Sequence, residues 1–488
     1  MIYKSFEFAK NGTNIPVFLS GKTMESRYNP ERDADSLCNT INETFSFFLV
    51  LGIGSGIFIQ KLSEKYPEAK IIGVELEKDD LDFLSTSELI QKIKNNKSIH
   101  LTYLENLETI LSQTYMPAKH GELKIIEQRA WINENQSKIE KINYILQKSL
   151  GIISADYSVQ AHFGKLWTFN ILNNVRLAQS SSFSINADLN KTAVIVAAGP
   201  SLEKNLSILK ERTKYFIIST DTAGSTLHRY GIIPDILISI DGQNVSFNHF
   251  INSNSVLYAF DLCANFSAAK HIHESGNQIM FFSSGHPLAN AINVSCGNRF
   301  PCIFSGAGTV TITALDFAVK TGFKNILILG ADFSYSNGKP YASGTYLDAL
   351  YNSSSSKICS SEKNFSKLMF RTELIKSEKK MTTQILEAYK LSMEKYMQSR
   401  NIIFRKENDV YFLNCSSDTN ENFPLQGNFI NLQILSSFLK KLKESSPEEA
   451  ELLLLPYIAW LRNNKKYKFC SYSELLKLAF NNIVRYNI

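Results

Sequence analysis

The sequence has no CxxC pair. Its seven cysteines (Cys38, Cys263, Cys296, Cys302, Cys359, Cys415 and Cys470) are scattered and odd in number. That spacing offers neither a disulfide framework nor a zinc knuckle, and it reads as a set of reduced, structural thiols. No stretch approaches the roughly 20 consecutive apolar residues of a membrane span. The longest uncharged run, Thr44 to Gln60, is broken by two glycine turns, and Leu452–Leu455 runs straight into Pro456. The opening MIYKSFEFAKNGTNIPVF holds no basic segment followed by an apolar run, so no secretory signal is expected and the cytoplasm is the expected location. Charge is close to balanced, with 52 Lys+Arg against 46 Asp+Glu and a formal +6. No basic stripe with interleaved stacking aromatics runs through the rest of the chain, so no nucleic-acid partner is expected. The one cationic segment, Lys367 to Lys406, sets ten Lys/Arg against four Glu. Its lysines alternate with Ile, Leu and Tyr at helical spacing and read as a solvated face, one that can still attract an anionic donor or an acidic partner.

What is present is apolar area: 44% hydrophobic residues, 32 Phe and 21 Tyr in 488 residues. A chain of this length exceeds one ordinary core of about 100–200 residues, so two or three domains are expected. Residues 45–51 (FSFFLVL) form an apolar run ending in Gly52-Ile53-Gly54-Ser55-Gly56. Helical spacing of Phe58, Ile59 and Leu62 follows, and then a second run, Ile71–Val74, closes on Glu75. This is a β-turn-α-β unit, in which an acid ending the second strand can hold a ribose hydroxyl pair, as in nucleotide- or S-adenosylmethionine-binding folds. Residues 121–185 have amphipathic helical character and are read as a linker. From Ala193 onward, short apolar runs alternate with helical stretches: Ala193–Ala197, Tyr215–Ser219, Ile236–Ile240, Val256–Phe260, Gln278–Phe282 and Ile326–Leu329. Such alternation argues for a parallel sheet covered on both faces. The expected class is α/β, divided as an N-terminal α/β domain (1–120), the linker, a central domain (186–425) and a C-terminal helical domain (426–488).

The chemistry is expected at the strand ends of the central domain. Gly199-Pro200-Ser201 follows a buried-type strand directly. Gly permits the turn, Pro presets the first helical turn, and Ser can cap it, leaving backbone N–H groups for an anion. The next strands end in Asp221 and Asp241, placing two carboxylates at the edge where open α/β sheets bind ligands, suited to a nucleotide's hydroxyls and amine or to a metal. Ser305-Gly306-Ala307-Gly308-Thr309 offers small residues and hydroxyls ahead of a helix. The run Ile326–Leu329 leads into Asp332 and Tyr335 and then the turn Asn337 to Thr345, which carries Tyr341.

The segments VIVAAGPSLEKNL, IISTDTA, GIIPDILISIDGQ and SGAGTVTITALDFAVKTGFKNILILGADFSYSNGKPYASGTY together resemble the motility accessory factor (Maf) flagellin glycosyltransferases. The central domain of that family is similar to bacterial sialyltransferases and to 6-hydroxymethylpterin pyrophosphokinase-like proteins. The resemblance covers residues 190–350 strongly and the flanks less specifically. It implies a Rossmann-like, sialyltransferase-like (GT-A variant) sheet, a CMP-activated nonulosonic acid such as pseudaminic or legionaminic acid as donor, flagellin Ser/Thr hydroxyls as acceptor, and no metal or other cofactor. Carried over residue by residue, it implies that Gly199, Pro200 and Ser201 form the nucleotide loop, that Gly308 and Thr309 lie near the donor, and that Asp332 ends the GxDF strand. It further implies that Tyr341, with Tyr335 beside it, contacts the leaving phosphate. The pattern departs in one place. Sialyltransferases place a histidine base in the region that falls near Lys379, and this chain has no histidine after His286, so the base is unassigned. Asp241, Asp332, His286 or no strong base stay open, with a loop-structuring role favoured for His286. Three alternatives remain: a methyltransferase using the Gly52–Glu75 unit, a pterin pyrophosphokinase holding Mg²⁺ on Asp221 and Asp241, and a non-catalytic flagellin-binding factor.

Overall fold

The computed structural model describes residues 1–306, 308–336, 338–377, 380–415, 423–428 and 433–486. The chain divides into two compact units, residues Met1–Gly164 with Leu455–Ala479, and residues Lys165–Leu454 with Phe480–Ile488.

The first unit opens with an antiparallel hairpin, β1 (Tyr3–Phe8) and β2 (Asn14–Phe18). Its sheet holds β3 (Phe47–Leu51), β4 (Lys70–Glu75), β5 (Ile99–Tyr103) and β6 (Lys124–Glu127), all parallel, in the order β5-β4-β3-β6. Every side chain of β3 is buried, as a central strand covered on both faces requires. Strand β6 lies inside the stretch expected to be wholly helical linker. Four residues carry too little periodicity to distinguish them from a helix start.

The second unit is built on an eight-stranded sheet. After the short β7 (Ser182–Ser184) come β8 (Thr192–Val196), β9 (Tyr215–Thr220), β10 (Ile236–Ser239), β11 (Leu257–Asp261), β12 (Gln278–Phe282) and β13 (Asn325–Leu329). A small hairpin, β14 (Ile375–Ser377) with β15 (Lys380–Thr382), precedes β16 (Ile403–Glu407) and β17 (Val410–Asn414). The last strand, β18 (Gln426–Asn428), pairs with β7. The large sheet runs β12-β11-β10-β9-β8-β13-β17-β16. Its first six strands are parallel, as the apolar runs led to expect, while β17 and β16 close one edge antiparallel. The edge strand β16 is exposed along its whole length and reads IFRKE, which blunts the edge with charge and hides the strand from a search for apolar runs.

Helix Ile139–Ala178 is 40 residues long. In the second unit its Asn170 donates to the carbonyls of Gly242 (3.1 Å) and Cys263 (2.9 Å). One turn on, Asn174 donates to Leu262 (3.0 Å) and Ala264 (2.8 Å). The loops leaving β10 and β11 are thereby tied down. The C-terminal helices Ile434–Glu444, Glu451–Asn463 and Tyr472–Val484 do not form a separate unit: residues 455–479 fall with the first unit and the rest with the second. The sequence pattern had suggested four consecutive segments instead, because a helix shows its periodicity but not the core it joins.

Candidate active site

In the large sheet the chain leaves β8 in one direction through β9 to β12 and returns to β13 on the other side. The strand order therefore reverses between β8 and β13, and open α/β sheets bind ligands outside the carboxyl ends at such a point. A cleft of about 330 Å³ lies there. It gathers Gly199, Gly308, Thr309, Asp332, Tyr335 and Tyr341 from segments spread over more than a hundred residues, with Thr220 and Thr222 also lining it.

Each side chain is set by a local contact. The Ser201 amide donates to Asp332 Oδ2 (2.8 Å) and the Gly199 amide to the Gly330 carbonyl (2.8 Å), which locks the turn after β8 onto the turn after β13. Asp332 Oδ1 is buried and has no hydrogen-bond partner among the described residues. Phe333 follows at φ 50°, a left-handed conformation rare for a large side chain. Thr309 caps helix Val310–Thr321, its hydroxyl accepting from the Thr311 amide at 3.3 Å. The turn carrying Tyr341 is held at two points: the Ala342 amide donates to the Ala198 carbonyl (2.8 Å), and the amide and hydroxyl of Ser343 donate to Glu203 Oε1 (2.7 and 2.8 Å). Burial pulls the Glu203 carboxyl up, but the bonds from Ser343 and Lys339 outweigh it and hold it below its ordinary value. Tyr341 keeps 36% of its surface exposed. Desolvation of its phenol, with the fields of Tyr335, Tyr346 and Asp221 adding to it, pushes its pKa up to about 12. It therefore stays a protonated donor at neutral pH.

Other expected residues sit differently. Pro200, Ser201, Asp221 and Asp241 are not part of the cleft wall. Ser201 was expected to cap a helix and leave free amides for a phosphate. The helix it precedes is only four residues long, Leu202–Asn205, Ser201 makes no capping bond, and its own amide is taken by Asp332. Asp221 is 2% exposed with both oxygens engaged, one by the Ser239 hydroxyl (2.7 Å) and one by the amide and hydroxyl of Thr222 (2.6 and 3.1 Å). Asp241 accepts from the Gln243 amide at 2.9 Å, and burial raises its pKa, with Asp221 adding to the shift. His286 caps helix Pro287–Ser295, its Nδ1 accepting from Leu288, and burial lowers its pKa to about 4. It structures a loop away from the cleft. Ala307, Asn337 and Lys379 lie outside the described residues.

The sequence left several residues unnamed. Leu368, Leu386 and Tyr389 line the cleft from helices Ser361–Met369 and Gln384–Ser399. His249 is buried, its ring 4.6 Å from and edge-on to Tyr346, its Nδ1 without a hydrogen-bond partner among the described residues, and it ends the 3-10 helix Asn244–His249 that follows Asp241. No sequence signal separates these from ordinary core positions.

Residues 168–338 match a family model described as 6-hydroxymethylpterin diphosphokinase MptE-like. Over 144 residues the chain is 38% identical to an uncharacterized protein of Treponema pallidum (strain Nichols), a stretch covering 29% of this chain and 69% of that protein. The chain belongs to the family of that Treponema protein. A second uncharacterized protein of Treponema pallidum (strain Nichols) is 29% identical over 237 residues, 48% of this chain and 77% of its own length. Among solved structures, the chain is similar to the MAf glycosyltransferase from Magnetospirillum magneticum AMB-1, at 13% identity and a TM-score of 0.49, over 99% of this chain and 90% of that one. The family-model description names one of the groups in the sequence resemblance. At that identity and TM-score the structural likeness carries nothing about chemistry. The MptE-like match spans β8 to β13 and includes Asp332 and Tyr335, while Tyr341 lies just beyond it.

In the first unit the Gly52–Gly56 turn is occupied by the protein's own side chains. Glu75 Oε1 accepts from the Ile53 amide (2.7 Å) and the Tyr3 hydroxyl (3.1 Å), and its Oε2 accepts from the Trp131 indole (2.8 Å). Glu25 Oε1 accepts from the amide and hydroxyl of Ser55 at 2.7 and 2.9 Å. A Cβ at position 54 would collide with that same oxygen. Glu75, which could have held a ribose hydroxyl pair, is committed to internal bonds, which removes the feature the methyltransferase alternative rested on. Burial pushes both Glu25 and Glu75 up to about 7 from an ordinary 4.5. Their folded forms hold the proton more tightly than the unfolded chain does. The stability they contribute is present below about 4.5 and is lost as pH rises through about 7. The thermal midpoint of the Glu25→Gln/Glu75→Gln double variant is therefore expected to fall less than that of the parent between about pH 5 and about pH 8, as followed by calorimetry. Equal slopes would show that neither carboxyl carries the linkage.

Proposed function

We propose that this chain is a glycosyltransferase of the motility accessory factor type. It moves a nonulosonic acid, of the pseudaminic, legionaminic or sialic kind, from a CMP donor to Ser/Thr hydroxyls of flagellin in the cytoplasm. The observation that carries the reading is the convergence of Gly199, Gly308, Thr309, Asp332, Tyr335 and Tyr341 on one cleft at the strand-order reversal. These are the residues for which the sialyltransferase resemblance implies nucleotide and leaving-group contacts. In this reading the acceptor oxygen bonds to the anomeric carbon as the bond from that carbon to the phosphate oxygen breaks. The electron pair leaves with CMP, and the acceptor proton passes to a base that is not assigned. The phenols of Tyr341 and Tyr335 donate to the phosphate as its charge grows, and an oxocarbenium-like transition state is where such donors act most strongly. Asp332 Oδ1 supplies an acceptor for a donor hydroxyl or amino group.

The match of residues 168–338 to the MptE-like model favours a second reading, transfer of a diphosphate from ATP to a pterin. That chemistry requires a divalent cation, for which oxygen ligands must be available, and Asp221 has both of its oxygens bound within the protein. A calorimetric titration separates the readings. CMP is expected to bind as tightly in EDTA as without it, because the phenols and hydroxyls of the cleft carry the phosphate. CMP binding that disappears in EDTA, together with tight Mg²⁺-ATP binding, would favour the pyrophosphokinase.

A further inference from the structure

The cleft at the strand-order reversal, at about 330 Å³, is near the lower end of what one small ligand fills, so a nucleotide-sugar donor leaves no room in it for a polypeptide acceptor. A groove of about 490 Å³ shares two of its walls. Helix Gln384–Ser399 gives Leu386 and Tyr389 to the cleft and Ala388, Leu391 and Tyr396 to the groove. The chain ahead of helix Val310–Thr321 gives Gly308 and Thr309 to the cleft and Phe304 to the groove. These two stretches pack closely, since a Cβ on Gly306 would come within 2.8 Å of Ser392 Oγ. The groove is also preformed. Asp316, fully buried, accepts from the Phe304 amide through one oxygen (2.6 Å) and from the Tyr396 hydroxyl through the other (2.7 Å), and the Phe304 and Tyr396 rings stack at 5.7 Å. Its apolar lining nevertheless faces water, with Phe304 48% and Leu391 52% exposed.

We infer, on the basis of the glycosyltransferase reading, that this groove is the acceptor subsite: it holds the acceptor polypeptide in extended form beside the transfer cleft and takes one of its apolar side chains against Phe304 and Leu391. Tyr389 in the cleft and Tyr396 in the groove stand seven positions apart on one helix, a rise of about 10 Å. An extended chain covers that distance in about three residues. The accepting Ser or Thr therefore has an aliphatic or aromatic residue about three positions away. Lys395 is the one charged residue among the groove's lining residues, so a basic side chain is disfavoured at that position.

The test is fluorescence anisotropy of labelled peptides titrated with the full chain in the presence of CMP. Each peptide carries a single central Ser in a Gly/Asn background, with one Leu or one Lys stepped along either side. Leu about three positions from the Ser, on one side, is expected to tighten binding about tenfold or more over the unsubstituted peptide, as burial of one aliphatic side chain predicts. Lys at the same position is expected to give no gain. Leu391→Asn and, separately, Phe304→Ala should remove most of that gain, and Leu391→Met should keep it. In transfer to flagellin the first two variants should raise the acceptor KM about tenfold with kcat at the parent value. Melting temperature and CMP affinity should stay at those of the parent, because both side chains are half in water and neither lines the donor cleft. The inference is overturned by peptides that bind alike or not at all, by a Leu gain confined to positions adjoining the Ser, or by a gain that survives both substitutions. A parent chain that binds CMP but fails these tests loses only the acceptor groove, whereas one that does not bind CMP loses the glycosyltransferase reading and the groove with it.

Discussion

Tyr341→Phe is expected to lower the kcat of sugar transfer about 10- to 1000-fold, the range observed when one donor aimed at a developing charge is removed. The phenol is held at the cleft by the Ala342 and Ser343 amide bonds, neither of which involves its hydroxyl, so the substitution leaves the turn where it is. Phenylalanine keeps the ring and its packing and deletes one oxygen, so stability should change by no more than about 1–2 kcal/mol. The loss should fall on kcat more than on donor affinity, since charge on the phosphate grows only as the glycosidic bond breaks. Because the pKa of the phenol is about 12, its contribution should be constant across the neutral range and should leave no limb in the pH–rate profile below about pH 10. Parent-like kcat in the Phe variant, at parent CMP affinity, would remove Tyr341 from the chemistry.

Gly330→Ala should have the largest effect on the cleft as a whole. Gly330 follows β13 at φ 70°, and a Cβ there would collide with the Ala197 carbonyl oxygen, a backbone atom at the end of β8 that cannot swing aside. Relief requires the ends of β8 and β13 to separate. That would break the bond from Gly199 to Gly330 and misplace the one from Ser201 to Asp332. The expected cost is about 3–5 kcal/mol, at the high end for single substitutions, with a melting temperature lower by about 6–20 °C and CMP binding lost. Gly338→Ala is the control. Gly338 has the same left-handed backbone, φ 71°, but nothing lies within 4 Å of its Cβ position. It should cost only about 1–2 kcal/mol of backbone strain. Equal losses in the two variants would show that conformation alone, and not the close approach of the two strand ends, makes the glycine necessary.

The parallel core of the second unit was legible because strands covered on both faces must be apolar at every position. Thr192–Val196 and Leu257–Asp261 announce themselves as short runs for that reason. The edge strand Ile403–Glu407 did not, since solvent exposure removes the constraint that would have marked it. At the cleft, residues borne on turns directly after strands could be placed from sequence, because the carboxyl edge of a parallel sheet is one surface. Gly199, Asp332 and Tyr335 are of this kind. Tyr389 and Leu368 could not be placed, since helical spacing marks a residue as apolar without saying which sheet edge its helix covers. Ser201 was assigned a free amide that it does not have. Its partner, Asp332, lies 131 residues away, and only the strand order brings the two together. Glu25 as the occupant of the Gly52–Gly56 turn was hidden for the same reason, its contact with Ser55 spanning 30 residues.

The measurement that bears most directly on the glycosyltransferase reading is transfer itself. The purified chain is incubated with unmodified flagellin and, in turn, CMP-activated pseudaminic, legionaminic and N-acetylneuraminic acid, in EDTA. Intact-mass spectrometry of the flagellin and quantitation of released CMP follow. The expected result with at least one donor is flagellin heavier by whole nonulosonic acid units, with CMP released in equal amount and the sugars mapped to Ser or Thr. Unchanged flagellin with all three donors, from a preparation that binds Mg²⁺-ATP and not CMP, would contradict it.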